Sequence, residues 1–157
     1  MGGSNGGLLV GNMLTHCGPT CSAPIVCQVA AARHAALLTI CWPARRGWAS
    51  TATPTTRRSG RSSRTFSPYQ NVKAGVTYPR TLFTTSTRDD RVHPGHARKM
   101  VAKMEAQGHD VLYYENIEGG HARRGEQQAA GRTCQSLAYT FFWKELAGAS
   151  AAARTVP

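Results

Sequence analysis

The chain has 157 residues, room for one domain, and carries 19 Lys and Arg against 8 Asp and Glu, a net charge of +11. No apolar run reaches the roughly 18 residues of a membrane span, and 41% hydrophobic residues is too many for a disordered tail. Five cysteines at irregular spacing exclude a full disulfide framework, and residues 1–7 do not have the shape of a signal peptide.

The charge is unevenly distributed along the chain. Residues 1–88 hold ten Lys and Arg and no acidic residue, whereas residues 89–157 hold nine basic and eight acidic residues. A sequence pI of about 10.1 favours a nucleic-acid-binding protein. A basic binding face normally has acidic residues elsewhere in the same domain, however, so this distribution argues against that class.

The first half of the chain contains few regular elements by pattern. A Gly-rich turn leads into an apolar helix start within residues 1–13, and residues 25–29 are predicted to form a short buried strand. Residues 14–24 and 30–64 show no period of 2 or 3.6. We therefore expect an irregular, poorly ordered stretch around residues 30–64.

The second half has the pattern of an alternating α/β protein. The predicted elements are a turn at 66–69, a strand at 81–86, a helix from Pro94 to about Gln107, a strand at 110–115 and a helix at about 127–146. Ala97, Met100, Val101 and Met104 fall on one face of the first of these helices. The order of strand, helix, strand, loop and helix predicts the α/β class.

A serine between two glycine pairs comes directly before the first apolar helix. Ser4 in this setting fits a nucleophile elbow, the sharp strand-to-helix turn that exposes a serine hydroxyl. The glycines are needed because a Cβ would clash within the turn, and the helix N-terminus favours developing negative charge. A flexible Gly/Ser terminus is the alternative interpretation.

An aspartate and a histidine follow the two later strands. Asp89 comes just after the strand at 81–86, and His121 follows Gly-Gly after the strand at 110–115. The chain order of Ser4, Asp89 and His121 is that of α/β-hydrolases, with both partners on loops at one edge of a parallel sheet. A histidine would take the serine proton, and a carboxylate would orient its ring and stabilise its cation.

These motifs together resemble the C-terminal catalytic part of the prolyl oligopeptidase family of serine peptidases. The motifs are Gly-Gly-Ser-Asn-Gly-Gly at 2–7, Asp-Asp-Arg-Val-x-Pro at 89–94 and Glu-Gly-Gly-His at 118–121, and the similarity is continuous from 76 to 121. The resemblance implies a partial α/β-hydrolase fold that contains only the C-terminal strands and helices of the sheet.

The resemblance also implies roles for individual residues. Ser4 would be the nucleophile, Asp89 the acid and His121 the base of the triad, while the backbone N–H of Asn5 would contribute to the oxyanion hole. Arg91 would contact the substrate. The implied substrate is a peptide, with no metal and no cofactor, and we expect no nucleic acid, no membrane contact and a cytoplasmic location.

The chain departs from the family pattern in two ways. It begins at the elbow, so we expect the N-terminal β-propeller, the strand leading into Ser4 and a second oxyanion donor to be absent. The isolated chain is therefore expected to be inactive. The family-like parts of this truncated catalytic domain are 1–13, 25–29, 65–121 and 136–146.

Residues 14–24 and 30–64 do not resemble the family, and frame-shifted translation explains them. Codons permitted for residues 47–61, read from one base earlier, spell Trp-Met-Gly-Glu-Tyr-Gly-Asn-Pro-Asp-Asn-Pro-Glu-Glu-Trp-Ala, which restores the missing acidic residues. The same shift at residues 17–24 gives Arg-Pro-Asp-Leu-Phe-Gly-Ala. We interpret both stretches as out of frame.

Other functions remain open from the sequence. An esterase or an acylpeptide hydrolase would use the same triad. A basic nucleic-acid-binding protein would depend on Arg57, Arg58, Arg61 and Arg64 for phosphate contacts.

Several cysteines and one histidine lie close together in the first half. His16, Cys17, Cys21 and Cys27 are zinc ligands by type, but C-x3-C-x5-C without a second pair is a weak zinc signal. We interpret Cys134 as a packing residue or an out-of-frame one, not as a nucleophile.

Overall fold

A computed structural model of the chain describes residues 1–21, 23–28, 64–117, 120 and 127–153, with the side chains of the last helix described over 132–147. The elements in chain order are β1 (Gly2–Gly3), α1 (Asn5–Cys17), a 3-10 turn (Gly18–Thr20), β2 (Ile25–Gln28), α2 (Pro68–Asn71), β3 (Thr81–Ser86), α3 (Gly95–Ala106), β4 (Val111–Asn116) and α4 (Gln127–Ala153). The predicted α/β class is confirmed. Most of the stretch that we expected to be irregular lies outside the described residues.

The strands form one parallel sheet whose spatial order is the chain order, β1-β2-β3-β4. The register places Gly2 beside Cys27, Cys27 beside Phe83 and Phe83 beside Tyr113. Because every pair is parallel, the carboxyl ends of all four strands lie at the same edge of the sheet. That edge carries the loops in which the sequence places the catalytic residues.

One face of the sheet packs against α1 and α3. The side chains in this core share the alternate strand positions and the apolar helix faces. They are Leu14, Ile25, Cys27, Val72, Phe83, Met100, Val101 and Met104. The four apolar positions predicted for α3 are all buried, which confirms the helical period read from the sequence.

The opposite face of the sheet packs against α4. Val26 and Leu82, which alternate with the residues of the first core, meet Ala138 and Phe141 of that helix. The two central strands β2 and β3 are therefore covered on both faces, and every residue of these strands except Gln28 is buried. Helices on both faces make this a three-layer arrangement within the described residues.

Some boundaries differ from the sequence prediction. Helix α1 runs to Cys17, past the predicted end of regular structure at residue 13, because its Leu14 side chain is fully buried in the core. The turn predicted at 66–69 overlaps the short helix α2 (Pro68–Asn71), which has a proline in its first turn. The buried apolar contacts of these helices are long-range, so the local pattern did not indicate them.

The strand that we expected to be missing before the serine is partly present. Gly2 and Gly3 pair in parallel with Cys27 and Gln28, so they form a two-residue strand that leads into Ser4. A strand this short, made of glycines alone, has no hydrophobic period by which it could be predicted.

Among the described helices, none is both long enough and apolar enough to cross a membrane.

Candidate active site

Ser4 occupies a strained turn between β1 and α1. Its φ is 56° and its ψ is −119°, and it has the only positive φ of any non-glycine residue in the described ranges. Such a conformation costs about 1–3 kcal/mol for an L-residue. Strand β2 and helix α1 hold it there, since its N–H donates to Gln28 O at 3.1 Å and its carbonyl accepts from Leu8 N at 3.0 Å.

Close packing across the turn explains why its first residue is a glycine. A Cβ on Gly2 would lie 2.2 Å from the carbonyl oxygen of Gly6 and 2.7 Å from Cγ2 of Val10. Helix α1 therefore folds back directly over β1. A Cβ on Gly6 itself would meet nothing within 4 Å. Packing therefore does not require a glycine at position 6.

Asn5 is the first residue of α1. The first N–H groups of a helix have no carbonyl partner within the helix, and the helix dipole adds partial positive charge at this end. The backbone N–H of Asn5 therefore lies at the positive end of α1, directly after Ser4.

Asp89 lies in the loop that follows β3 and is 5% exposed. Its Oδ1 accepts hydrogen bonds from the backbone N–H of Arg91 at 2.9 Å and of Val92 at 2.8 Å. Its own N–H donates to Ser86 O at 3.2 Å. Backbone groups thus hold both one carboxyl oxygen and the main chain of Asp89, while the side chain of Arg91 is exposed to solvent.

The structure brings four of the five predicted site residues to one edge of the sheet. Ser4 and Asn5 follow β1, and Asp89 and Arg91 follow β3. His121, the predicted base, lies outside the described residues. Strand β4 ends at this same edge, five residues before it.

A second carboxylate at this edge was missed by the sequence analysis. Glu115, near the end of β4, accepts hydrogen bonds from Thr87, Arg98 and Tyr113. The Arg98 guanidinium lowers the pKa of Glu115 to about 2, and the carboxylate in turn raises the pKa of Arg98. Burial, followed by the hydrogen bond to Glu115, raises the pKa of Tyr113.

Among the described cysteines of the first half, Cys17, Cys21 and Cys27, no cluster of metal ligands is formed. Cys27 is buried in the core, its Sγ donates to Gly7 O at 3.1 Å, and burial raises the pKa of the thiol to about 12. No group of three or more metal-ligating side chains occurs among the residues that the structure describes. Of the basic run proposed to bind phosphates, residues 57, 58 and 61 lie outside the described residues.

The parallel sheet, the strained strand-to-helix turn at Ser4, and the buried aspartate after β3 together define part of an α/β-hydrolase fold. A prolyl endopeptidase of known structure is similar to it, with a TM-score of 0.80 at 30% identity, over 92% of this chain and 21% of that one. The predicted partial α/β-hydrolase fold is therefore confirmed.

The sequence match agrees with the fold. The profile of the Prolyl oligopeptidase family matches residues 1–149, and the chain belongs to that family. An uncharacterized peptidase, y4nA, from Sinorhizobium fredii is 42% identical over 151 residues, which cover 93% of this chain and 20% of that protein. A prolyl endopeptidase from Elizabethkingia miricola is 32% identical, over 90% of this chain and 20% of that protein. The chain thus spans about a fifth of the length of these relatives.

Proposed function

We propose that this chain carries the catalytic triad of a serine peptidase, with Ser4 as nucleophile, His121 as base and Asp89 as acid. The observation that supports it best is the backbone of Ser4, whose φ of 56° is held between β1 and α1. Strain of this kind persists only where the surrounding structure imposes it, and it is typical of functional residues. Asp89 lies at the same sheet edge, with its carboxyl already oriented by two N–H groups.

The proposed reaction proceeds through an acyl-enzyme. His121 takes the hydroxyl proton as Ser4 Oγ attacks the carbonyl carbon of the scissile peptide bond, and Asp89 stabilises the imidazolium that results. The N–H of Asn5 stabilises the oxyanion of the tetrahedral intermediate. The imidazolium gives its proton to the leaving amine, and water then attacks the ester with the same base.

The proposed substrate is a peptide, with cleavage after proline as the first specificity to test. The family match and the names of the Elizabethkingia relatives support this choice. Arg91 is proposed to contact the peptide, since its side chain is exposed two residues beyond Asp89. A cytoplasmic location is part of the same proposal.

We further propose that the chain corresponds to part of a longer catalytic domain and has no turnover by itself. Its relatives are about five times as long. In addition, α4 exposes Tyr139, Trp143 and Leu146 on one side, at 63%, 77% and 55%. Contiguous exposed apolar residues of this kind normally face other protein.

Resequencing the coding DNA tests the proposed frame shifts, because corrected frames would restore acidic residues within 14–64.

Fluorophosphonate labelling tests the triad. We would label this chain beside a chimera in which it replaces the matching 151 residues of the E. miricola prolyl endopeptidase. We expect the chimera to label. Ser4→Ala should abolish this labelling, and Asp89→Asn should slow it by roughly 10⁴. A folded chimera that does not label while the parent enzyme does would exclude the proposal. Comparing the rates at which the chimera hydrolyses a prolyl peptide and an acyl ester then distinguishes a peptidase from an esterase.

A further inference from the structure

Glu115 joins the two ends of the loop that carries Asp89. This loop, residues 87–94, connects β3 to α3. At its start, Thr87 Oγ1 donates to Glu115 Oε1 at 2.5 Å. Just beyond its end, Arg98 in the first turn of α3 donates from Nε to Oε2 of the same carboxylate at 2.9 Å and from its terminal amino group to Oε1.

The connection from Thr87 to Asp89 is short and largely fixed. The N–H of Thr87 donates to Asn116 O at 2.8 Å, which extends the β3–β4 ladder by one residue. A single residue separates Thr87 from Asp89, whose N–H is bound to Ser86 O. A shift of Thr87 would therefore displace the aspartate backbone directly.

The charge on Glu115 suits this task. Its carboxylate accepts a further hydrogen bond from the Tyr113 hydroxyl at 2.5 Å, and its side chain is 16% exposed. An ionised acceptor makes stronger hydrogen bonds than a neutral one. The Arg98 guanidinium holds the pKa of Glu115 far below neutrality, so the carboxylate is charged over the whole ordinary pH range.

We propose that Glu115 is a positioning residue for Asp89, which fixes the 87–94 loop by holding Thr87 at one end and Arg98 at the other. This inference rests on the proposed function, in which Asp89 is the acid of the triad. Glu115 acts through the loop backbone and does not itself contact substrate.

Residue-resolved amide exchange of the full chain, measured by NMR, tests the inference without requiring any reaction. The informative amides are those of Arg91 and Val92, which donate to Asp89 Oδ1. Thr87→Val removes one hydroxyl, and the Val92 N–H is then expected to exchange about fivefold faster, as for the loss of one hydrogen bond. Thr87→Ser keeps the hydroxyl and should restore the original rate.

Tyr113→Phe is the matched control, because it removes a hydrogen bond to the same carboxylate without touching the loop. It should leave the Val92 N–H unchanged. Amides of β2 and β3 report global unfolding, and Arg98→Lys is the second variant if Thr87→Val unfolds. Equal exchange at Val92 in Thr87→Val and Tyr113→Phe, or no protection of Val92 in the unsubstituted chain, would overturn the inference. Failure of Ser4 to label would instead count against the proposed function, and the exchange result would still stand.

Discussion

Ser4 and Asp89 lie at the same edge of the sheet, but different forces hold their two loops. The Ser4 turn depends on Gly2 having no side chain, because this lets α1 approach β1 within contact distance. The Asp89 loop depends on hydrogen bonds to carboxylates, its own and that of Glu115. A steric constraint fails abruptly when one methyl group is added, whereas a hydrogen-bonded loop loosens by degrees.

The largest effect is expected from Gly2→Ala. The new Cβ would overlap the backbone carbonyl of Gly6 at 2.2 Å, and neither β1 nor α1 can move away without losing contacts. We expect a loss of about 3 kcal/mol or more in the free energy of unfolding, measured in urea. Gly6→Ala, which meets nothing, is the control and should stabilise α1 by up to about 1 kcal/mol. Similar losses in both variants would show that the turn is not held by contact.

Removal of the buried carboxylate should have the next largest effect. Asp89→Ala would leave the N–H groups of Arg91 and Val92 without their acceptor. Leaving buried donors unpaired costs about 1–3 kcal/mol each, so we expect a loss of about 2 kcal/mol in unfolding free energy, since the loop can partly rehydrate. Asp90→Ala, at the exposed neighbouring position, should change it by less than about 0.5 kcal/mol. Equal effects of the two substitutions would contradict this account of the loop.

Relief of the strain at Ser4 should have a smaller effect, of the opposite sign. Ser4→Gly places a residue that tolerates positive φ in the turn, and we expect a gain of about 1 kcal/mol in unfolding free energy after the entropy of glycine is allowed for. Ser4→Ala removes the hydroxyl but keeps the strain, so it should be near neutral. A loss of stability in Ser4→Gly would show that the turn is not strained in solution.

The smallest expected effect is the pH dependence that comes from the ionisation of Glu115, the carboxylate bonded to both ends of the Asp89 loop. The pKa of Glu115 is lowered to about 2 from its ordinary value of 4.5, mainly by Arg98. A carboxyl group whose pKa is lowered by folding stabilises the folded state at pH values above its ordinary pKa. This contribution is lost as the pH falls through about 2. A ¹³C-detected titration of the Glu115 carboxyl should therefore give a midpoint near 2. Arg98→Lys should raise it, and a midpoint near 4.5 without substitution would show that the ion pair does not form.

Local sequence pattern predicted the elements around the site well. The strand at 81–86 agrees with β3 at both ends, and the helix begun at Pro94 agrees with α3 to within a residue at each end. These elements have strong periodicity and clear proline and glycine boundaries. The tight turn at Ser4 was predictable because a serine between glycine pairs, directly before an apolar helix, is typical of a strand-to-helix turn.

The role of Glu115 could not be predicted in the same way. Alternation along β4 places Tyr113 and Glu115 on one face, but the donors Thr87 and Arg98 come from residues 28 and 17 positions away. Only the sheet register brings these groups together. The contacts that bury Leu14 of α1 in the core are likewise long-range, which is why the helix end was placed too early.

The sheet order has a consequence for synthesis. Since β1, β2, β3 and β4 are adjacent in the order in which they leave the ribosome, each new strand can pair with the one made just before it. Each of these four described strands is then added beside the one before it, and none of the four needs to be inserted between two that have already paired. Pairing between neighbours in sequence also keeps the closed loops shorter than in a shuffled sheet. Folding could thus advance in one direction along the sheet while translation continues.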